Sequence, residues 1–452
     1  MPPKKSRSAS ALSTAAKSRS KDKSAAKSNQ KRSSDTVLSE ESPVKRLKTD
    51  HKSHTSTPGV VLTVGEGDVG QLGLGPDVLE KARPALVELP SKCIQIVAGG
   101  MHTACLTTEG EVYTFGCNDE GALGRTTTAE GSEAKPGKLT TKNKFIQISA
   151  GDSHTAMLTS DGLIFASGTF RDANGSIGLT EAGPQKTAIN LPCPKRIMKI
   201  ASGSDHLLAL SEDGLVFSSG CAEQGQLGRV AECFSNRGGR KGLGLLLSLK
   251  QIHFKGTKQN RHPKFCDVWA GTYVSFAKSV SGDIYAWGLN NYYQLGIDDM
   301  VNRFVPELVK ALPSDQGWQG IAGGQHHTVA VNKDGEVFSI GRGTYGQLGL
   351  GESNAEDAKE PKRVSSLPSS CLSVDASSSV SFAVCKDGKS YGWGMGTCQQ
   401  LSNGEDEDKF EPVVMTGKQL SDKEVLMISS GGQHTVLLAK QKADVADSVT
   451  SE

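Results

Sequence analysis

Histidines recur along this 452-residue chain at a regular interval, and two of them closely follow an aspartate. The five repeated histidines are His102, His154, His206, His327 and His434. Asp152 stands two residues before one of them, and Asp205 stands directly before the next. Imidazoles are common zinc ligands and paired carboxylates can act as general acid and base, so this set could form a metal site or a hydrolytic site.

The spacing favours neither kind of catalytic site. Zinc ligands must lie within about 2.0–2.3 Å of the metal, whereas these histidines belong to separate repeat units. The sequence shows no HExxH motif, no Cys/His cluster and no phosphate-cradling GxxxxGK[ST] loop, and it suggests no nucleophile–base arrangement. We therefore expect no metal, no cofactor and no covalent chemistry. A repeated histidine at a strand start is most often a structural hydrogen-bonding group.

The elements that must position these residues are β-hairpins. In residues 97–125, two alternating apolar runs are joined by Glu109-Gly110, and glycine supplies the positive φ that such a turn needs. The turn glycine recurs at positions 110, 162, 214, 282, 335 and 388, at intervals of 52, 52, 68, 53 and 53 residues. A period near 50 residues with four short β-like runs in each unit is typical of a propeller blade.

The two ends of the repeat predict a closed ring. Residues 60–65 match the second half of a hairpin that has no first half, and residues 434–440 match a first half that has no second. Pairing them would complete a seventh unit and remove exposed edge strands. We therefore predict an all-β fold, a seven-bladed β-propeller of four-stranded blades over residues 59–440. Disordered tails are predicted at 1–58 and 441–452.

Composition divides the chain into a basic tail and an acidic ring. Residues 1–58 carry 14 Lys and Arg against 5 Asp and Glu, so the net charge of +2 comprises +9 here and −7 in the rest. Such a segment, rich in serine and poor in large apolar side chains, is predicted to be disordered and to bind polyanions by neutralising their phosphates. Within it, Lys45, Arg46 and Lys48 resemble a nuclear-import signal. A solubilising tail is the alternative.

The remaining compositional signals concern the compartment. The ten cysteines are scattered without a CxxC pair, and the N-terminus has no apolar stretch of signal-peptide type. We therefore expect a reduced, intracellular compartment. No run of about 18 apolar residues is present, so we expect no membrane contact.

Two segments depart from the repeat. Eight residues separate the hairpin-closing glycine from the next repeat glycine in most units, but ten do so in the third unit. The extra residues predict a protruding β-turn that carries Phe170, Arg171 and Asp172, with a tolerated surface insertion as the alternative. Residues 229–266 hold nine Lys and Arg against one Glu. They predict a projection that binds an anionic partner, with a solvated loop as the alternative.

Repeat-equivalent positions lie at the same height around a ring. The repeated histidines should therefore encircle one end of the central channel. Asp152 and Asp205 stand beside them, and Asp68 and Arg229 lie in neighbouring loops. Together these groups predict a polar rim on which another protein docks.

With these motifs in view, the chain resembles the regulator of chromosome condensation family, the chromatin-bound guanine-nucleotide exchange factors of the Ran GTPase. The resemblance covers about residues 58–440 and rests on the GQLGLG-type loops and the AGGxHT strand ends. It also rests on non-repeated segments, which are GCNDEGALGR, AGDSHTA, FRDANGSIGL, GQLGRV, NRGGR, GGQHHTV and GGQHTVLL. The repeat alone would indicate only the superfamily, whereas the irregular segments match the exchange factors.

The resemblance implies roles for individual residues. Asp152 and Asp205 match acidic residues of the exchange step. The implied GTPase-docking residues are Asp68, His102, Arg229, His327 and His434. The implied wedge, which pushes toward the nucleotide-binding elements of the GTPase, is Phe170, Arg171, Asp172, Ala173, Asn174, Gly175, Ser176 and Ile177. The implied nucleosome contacts are Arg237, Arg240 and Lys241, and the implied DNA contacts are Lys4, Lys5 and Arg7.

The resemblance also implies a biological role. The protein would be a nuclear, chromatin-associated exchange factor that generates Ran-GTP near chromosomes for nucleocytoplasmic transport, spindle assembly and nuclear envelope formation. Its partners would be Ran, the nucleosome, DNA and an import receptor. Exchange changes no covalent bond, so the protein would not be an enzyme in the strict sense. The alternative is a propeller-type chromatin-binding scaffold without exchange activity. A ubiquitin ligase would need a large catalytic domain after residue 440, and a plant-type photoreceptor would need clustered tryptophans.

Overall fold

The computed structural model describes residues 57–256 and 261–442. Seven four-stranded antiparallel sheets surround one channel, which confirms the predicted seven-bladed β-propeller. The tails predicted at 1–58 and 441–452 lie outside the described residues, apart from two residues of each. The predicted DNA contacts Lys4, Lys5 and Arg7 and the predicted import signal Lys45, Arg46 and Lys48 are therefore also outside them.

The strands follow one another in blade order along the chain. Blade 1 begins with β1 (Val60–Glu66) and β2 (Glu80–Val87). Blade 2 contains β3 (Cys93–Ala98), β4 (His102–Thr107), β5 (Val112–Gly116) and β6 (Gly137–Lys138). Blade 3 contains β7 (Phe145–Ala150), β8 (His154–Thr159), β9 (Ile164–Gly168) and β12 (Gln185–Leu191). Between β9 and β12, β10 (Phe170–Asp172) and β11 (Gly175–Gly178) form a separate two-stranded hairpin. Blade 4 contains β13 (Ile197–Ser202), β14 (His206–Ser211), β15 (Val216–Gly220) and β16 (Lys250–Gln251).

The second half of the ring repeats this order. Blade 5 contains β17 (Phe265–Ala270), β18 (Val274–Ser279), β19 (Ile284–Gly288) and β20 (Arg303–Leu308). Blade 6 contains β21 (Gly320–Gly323), β22 (His327–Val331), β23 (Val337–Gly341) and β24 (Ala358–Arg363). Blade 7 contains β25 (Cys371–Ser377), β26 (Val380–Cys385), β27 (Ser390–Gly394) and β28 (Lys409–Val414), and β29 (Lys423–Ser430) and β30 (His434–Gln441) complete blade 1. The helical turns are α1 (Gly244–Leu247) and the 3-10 turns Glu232–Phe234, Gly239–Lys241, Ser314–Gln316 and Glu352–Asn354.

Ring closure occurs where the sequence predicts it. β1 pairs antiparallel with β30, with Val60 opposite Ala439 and Gly65 opposite His434. The sheet order of blade 1 is β2-β1-β30-β29, so the two ends of the repeat share one blade. The innermost strands of all seven blades line the channel. Closure leaves no blade without a neighbour, and this removes the exposed end faces of an open array.

The hydrophobic core consists of layers between blades rather than one central mass. Each of seven buried clusters combines side chains from two adjacent blades; one joins Val61 and Val87 of blade 1 to Ile96 and Phe115 of blade 2. The second strand of a blade packs on both faces, and β4 is buried at every position. Because the layers are alike, equivalent residues of successive repeats reach the same end of the ring.

Two cysteines of blade 7 lie opposite each other on neighbouring strands. Cys371 of β25 and Cys385 of β26 are paired as a disulfide, and the reduced compartment expected from the sequence stays a prediction. The two residues face each other in an antiparallel ladder, with Cα atoms 3.9 Å apart. A cross-strand pairing of this kind depends on the register of two strands, which the scattered cysteine positions do not reveal. The other eight cysteines, all among the described residues, are not in disulfides.

Candidate functional site

One end of the channel opens into a cavity of about 610 Å³. All seven blades line it, because each contributes residues that follow its innermost strand. The long loop after β5 adds Asp119 and Glu120, and Asp152 and Arg171 come from blade 3. The mouth of the channel is thus a concave polar surface with an excess of carboxylates along one side.

The two predicted aspartates lie together at this mouth. The backbone N–H of Asp152 donates to the carbonyl of Ser204, directly before Asp205, at 2.8 Å. Although Asp152 reaches solvent in the cavity, the surrounding walls desolvate its carboxyl and raise its pKa. Desolvation and then the negative charge of Asp152 raise the pKa of Asp205 to about 7. Burial first and mutual charge second disfavour the ionised carboxylates, so a cation brought to the mouth by a partner would stabilise their ionised forms.

The two-residue insertion of blade 3 forms the hairpin of β10 and β11 beside the mouth. Arg171, Ala173 and Asn174 are exposed at its tip. The expectation that Phe170 protrudes is wrong: Phe170 is fully buried, and its ring contacts that of His154 edge-on at 4.7 Å between centroids. Phe170 and Ile177 root the hairpin in the core between blades 3 and 4.

Carboxylates of neighbouring blades hold the backbone of the hairpin. Asp205 Oδ1 accepts a hydrogen bond from the N–H of Arg171 at 2.7 Å. Glu223 Oε2 accepts one from the N–H of Ala173 at 3.0 Å. The guanidinium of Arg171 in turn pairs with Glu120 at 2.8 Å. Blades 2 and 4 thus fix the tip from both sides, so that it is ordered without a partner.

The repeated histidines stand at the predicted end of the channel, beside residues that line the mouth, but their side chains are not exposed on the rim. All five are buried, and each ring lies within 2.7–3.0 Å of a hydroxyl in the next blade. Burial lowers the pKa of His102 to about 4 and that of His154, His206, His327 and His434 to about 3. They are neutral inter-blade hydrogen-bonding groups, which is the structural role weighed from the sequence.

The glycine of the AGGxHT motif makes room for this contact. A Cβ at Gly99 would lie 2.2 Å from Cε1 of His102 and 2.5 Å from the carbonyl oxygen of Gly151 in the next blade. The imidazole therefore packs directly on the backbone of its own inner strand. A direct docking contact through His102, His327 or His434 is not available on this surface.

Arg229 is likewise an internal residue. Its guanidinium donates to the carbonyls of Ser218, Leu245, Leu246 and Ser248 at 2.7–3.1 Å. Desolvation lowers its pKa to about 10. Arg229 thus closes the base of the long loop of blade 4 (residues 229–250) and does not present its charge at the rim. The prediction of Arg229 as a direct docking residue does not fit these contacts.

Asp68 is exposed, as a docking residue must be, and it belongs to a series of acidic residues that the repeated histidines did not point to. Asp68, Asp119 and Glu223 each stand three residues after the closing glycine of their blade. Aligning the loops after Gly65, Gly116 and Gly220 would have identified them as one acidic arc, because repeat-equivalent positions share one face of the ring.

The basic loop of blade 4 faces two ways. Arg240 and Lys241 are exposed, with their cationic groups 5.9 and 4.6 Å from the ring centroid of Phe234. Arg237 is only partly exposed and points to the hairpin of blade 3, where it pairs with Asp172.

Within the described ranges, no group of three or more His, Cys, Asp or Glu residues is arranged to hold a metal. Nor is any helix of residues 57–256 or 261–442 long and apolar enough to cross a membrane.

A family model described as the RCC1-like domain matches residues 60–437, which is nearly the whole ring. The chain belongs to the regulator of chromosome condensation family. It is 52% identical to the human regulator of chromosome condensation over 404 residues, which cover 88% of this chain and 94% of the human one. It is 31% identical to the Saccharomyces cerevisiae guanine nucleotide exchange factor SRM1, over 82% of this chain and 85% of that protein.

Solved structures of the yeast family member Prp20 are similar in fold. One, described with its binding properties to Gsp1p and histones, has a TM-score of 0.78 and 29% identity, and covers 87% of this chain and 94% of its own. Another, in which Prp20 is bound by Kap60, has a TM-score of 0.80 and 28% identity, and covers 92% and 97%. The family's ring architecture is therefore present in full.

Proposed function

We propose that this protein is a guanine-nucleotide exchange factor for the Ran GTPase. The observation that carries the proposal is the ordered hairpin of blade 3, which stands over a carboxylate-lined mouth and is held there by Asp205 and Glu223. A relative named as an exchange factor and the binding of Gsp1p by a structural neighbour support the same assignment. No covalent bond changes in exchange, so a rigid binding surface is sufficient.

Exchange is accelerated when the factor binds the nucleotide-free GTPase more tightly than the nucleotide-bound form, and this coupling is reciprocal. A nucleotide held with picomolar affinity has a binding free energy of about −16 kcal/mol, and new contacts with the exchange factor must offset part of it. We propose that the wedge, residues 170–177, distorts the phosphate-binding region of the GTPase. Asp152 and Asp205 then compete for its basic groups, which are released from the phosphates.

The raised pKa of Asp205 gives this competition a measurable signature. Near pH 7 the carboxyl is only partly ionised, because desolvation and Asp152 disfavour its charge. A cation of the GTPase would bind the ionised form and so release a proton. The kcat/KM for nucleotide release is therefore expected to fall as the pH decreases from 8 to 6, and this fall should be smaller in Asp205→Asn.

The residues predicted from the resemblance as docking groups divide into two kinds under this proposal. Asp68 contacts the GTPase directly from the exposed acidic arc. His102, His327 and His434 act indirectly, since their hydrogen bonds between blades hold the rim in shape. Arg229 supports the rim in the same indirect way by fixing the loop of blade 4.

Attachment to chromatin is the second part of the proposal. The exposed cations Arg240 and Lys241 fit the acidic surface of a histone dimer by charge, and the neighbour Prp20 is described with histone binding. We propose that the tail adds DNA contacts through Lys4, Lys5 and Arg7. An import receptor would bind Lys45, Arg46 and Lys48, in keeping with the Kap60 complex of Prp20. Ran-GTP would then form at chromosomes and serve transport, spindle assembly and envelope formation.

Release of fluorescent GDP from purified Ran tests the exchange proposal. Asp152→Asn and Asp205→Asn are each expected to lower kcat at least tenfold without loss of the folded ring. Asp387→Asn is the matched control, because Asp387 lies in the exposed turn between β26 and β27, at the other end of the strands. Wild-type rates for both mouth variants would contradict the assigned role. Nucleosome binding without GDP release by the wild type would instead favour the scaffold alternative.

A further inference from the structure

The two departures from the repeat meet in the folded protein. Arg237, from the basic loop of blade 4, reaches Asp172 at the tip of the blade 3 hairpin. Its Nη2 donates a hydrogen bond to Oδ1 at 3.0 Å, and its Nε lies 2.9 Å from Oδ2. The Asp172 side chain is 3% exposed and that of Arg237 is 41% exposed. The guanidinium thus covers the carboxylate and keeps it from solvent.

The backbone of the loop is shaped around this contact. Arg237 has a φ of +48°, in the left-handed region that residues other than glycine rarely occupy. Gly238 follows with a φ of +76°, and a Cβ there would lie 2.0 Å from the carbonyl oxygen of Gly242. Such a conformation persists only where the surroundings over-determine it. The pairing with Asp172 at one side and the closed turn of residues 238–242 at the other supply that constraint.

The charge of Arg237 is placed where the hairpin needs a cation. Asp172 stands near Asp205, and its negative charge is among the causes that raise the pKa of that carboxyl. Glu223 adds a third carboxylate at the hydrogen bond to Ala173. Asp172 Oδ1 also accepts the N–H of Asn174 at 2.9 Å, so its orientation sets the turn. Without a cation, repulsion among these carboxylates would act directly on the tip.

From this arrangement we infer that Arg237 is a positioning residue of the exchange hairpin and not a nucleosome contact. The loop of blade 4 therefore has two separate tasks. Its inward residue Arg237 neutralises Asp172 and holds the wedge, whereas its outward residues Arg240 and Lys241 remain available to an anionic partner. The inference about catalysis rests on the proposed function, but the inference about the order of the hairpin does not.

The test uses the full-length protein and the variant Arg237→Asn. Asparagine adopts positive φ more readily than most residues, so this change removes the cation while it keeps the backbone conformation. Lys250→Asn is the matched control, since Lys250 is an exposed cation of the same basic segment. The first measurement is amide hydrogen exchange at residues 171–174 in the free protein. Arg237→Asn is expected to increase it at least tenfold, and Lys250→Asn is expected to leave it unchanged.

The second measurement separates positioning from simple destabilisation. In GDP release from Ran, Arg237→Asn should lower kcat about tenfold with little change in KM, and Arg237→Lys should recover part of the loss. The affinity of Arg237→Asn for nucleosomes should remain within twofold of that of the wild type. Unchanged amide exchange in Arg237→Asn, or a large loss of nucleosome affinity with unchanged kcat, would overturn the inference. If the wild type does not release GDP from Ran, the exchange function is refuted. The positioning role still stands in that case, provided that Arg237→Asn increases amide exchange at residues 171–174.

Discussion

Mild acid should destabilise this propeller through its inter-blade histidines. Five imidazoles are buried and neutral in the folded ring, with pKa values lowered by desolvation to about 3 or 4. In the unfolded chain their pKa returns to about 6.5. A group whose pKa is lower in the folded state than in the unfolded state binds more protons when the chain unfolds. The contribution of the neutral histidines to the free energy of unfolding is therefore fully present above pH 6.5, and it decreases as the pH falls toward the folded pKa values.

The magnitude at pH 5 depends mainly on the unfolded pKa, because every folded value lies well below that pH. Each buried histidine then costs about 2 kcal/mol, from about 1.4 kcal/mol for each pH unit below 6.5. The raised pKa values of Asp205, about 7, and Asp375, about 6, act in the opposite direction and offset part of this loss. Near pH 5.5 the unfolded state should bind a net excess of about two to three protons.

Urea denaturation followed by the fluorescence of the buried tryptophans measures this effect at a series of pH values between 7.5 and 5. The free energy of unfolding should fall by about 3–4 kcal/mol per pH unit between pH 6 and 5. His206→Gln is the informative variant, because an amide can still donate to Ser275 but does not titrate. Its slope should be lower by about one proton, or about 1.4 kcal/mol per pH unit. A flat profile between pH 6.5 and 5 would refute the neutral, buried state of the histidines.

Three further changes test the packing between blades and the support of the loop. Gly151→Ala should lower the free energy of unfolding by about 1–3 kcal/mol, because a Cβ there would lie 2.3 Å from a backbone oxygen of blade 4. Lys199→Met should cost about 3–5 kcal/mol in urea denaturation by leaving the buried carboxylate of Asp267 without its cation. Most of that loss should be recovered in the double variant Lys199→Met/Asp267→Leu. Arg229→Ala should raise the rate of limited proteolysis within residues 230–248 at least tenfold, whereas Lys250→Ala should not.

Much of the candidate site could be located from the sequence because the position of a residue within the repeat predicts where it lies in its blade. The interval between turn glycines assigns each residue a height on the ring, so Asp152 and Asp205 were predicted at the same end, where they lie. The extra length in the third unit likewise predicted the hairpin of β10 and β11. Both inferences depend only on counting along the chain, which the backbone of a repeat protein preserves.

The environment of each side chain could not be obtained by counting. His102 and Thr155 are 53 residues apart, yet their hydrogen bond at 2.8 Å decides that the imidazole is structural. Arg229 lies beside the rim in sequence, but the carbonyls of the folded loop enclose its guanidinium. The burial of a side chain and its hydrogen-bond partners depend on the adjacent blade, and no sequence pattern within one repeat specifies them.

The sequence by itself determined the ring, its seven units, the closure of its ends and the two segments that break its symmetry. Glycine turns and alternating apolar runs are local signals, and repetition made them unambiguous. Only the tertiary structure decided that Arg237 faces Asp172 while Arg240 faces solvent, because residues 65 positions apart approach each other there across two blades. The net charge of a segment can therefore be predicted from the sequence, whereas packing determines whether each charged side chain faces another residue or solvent.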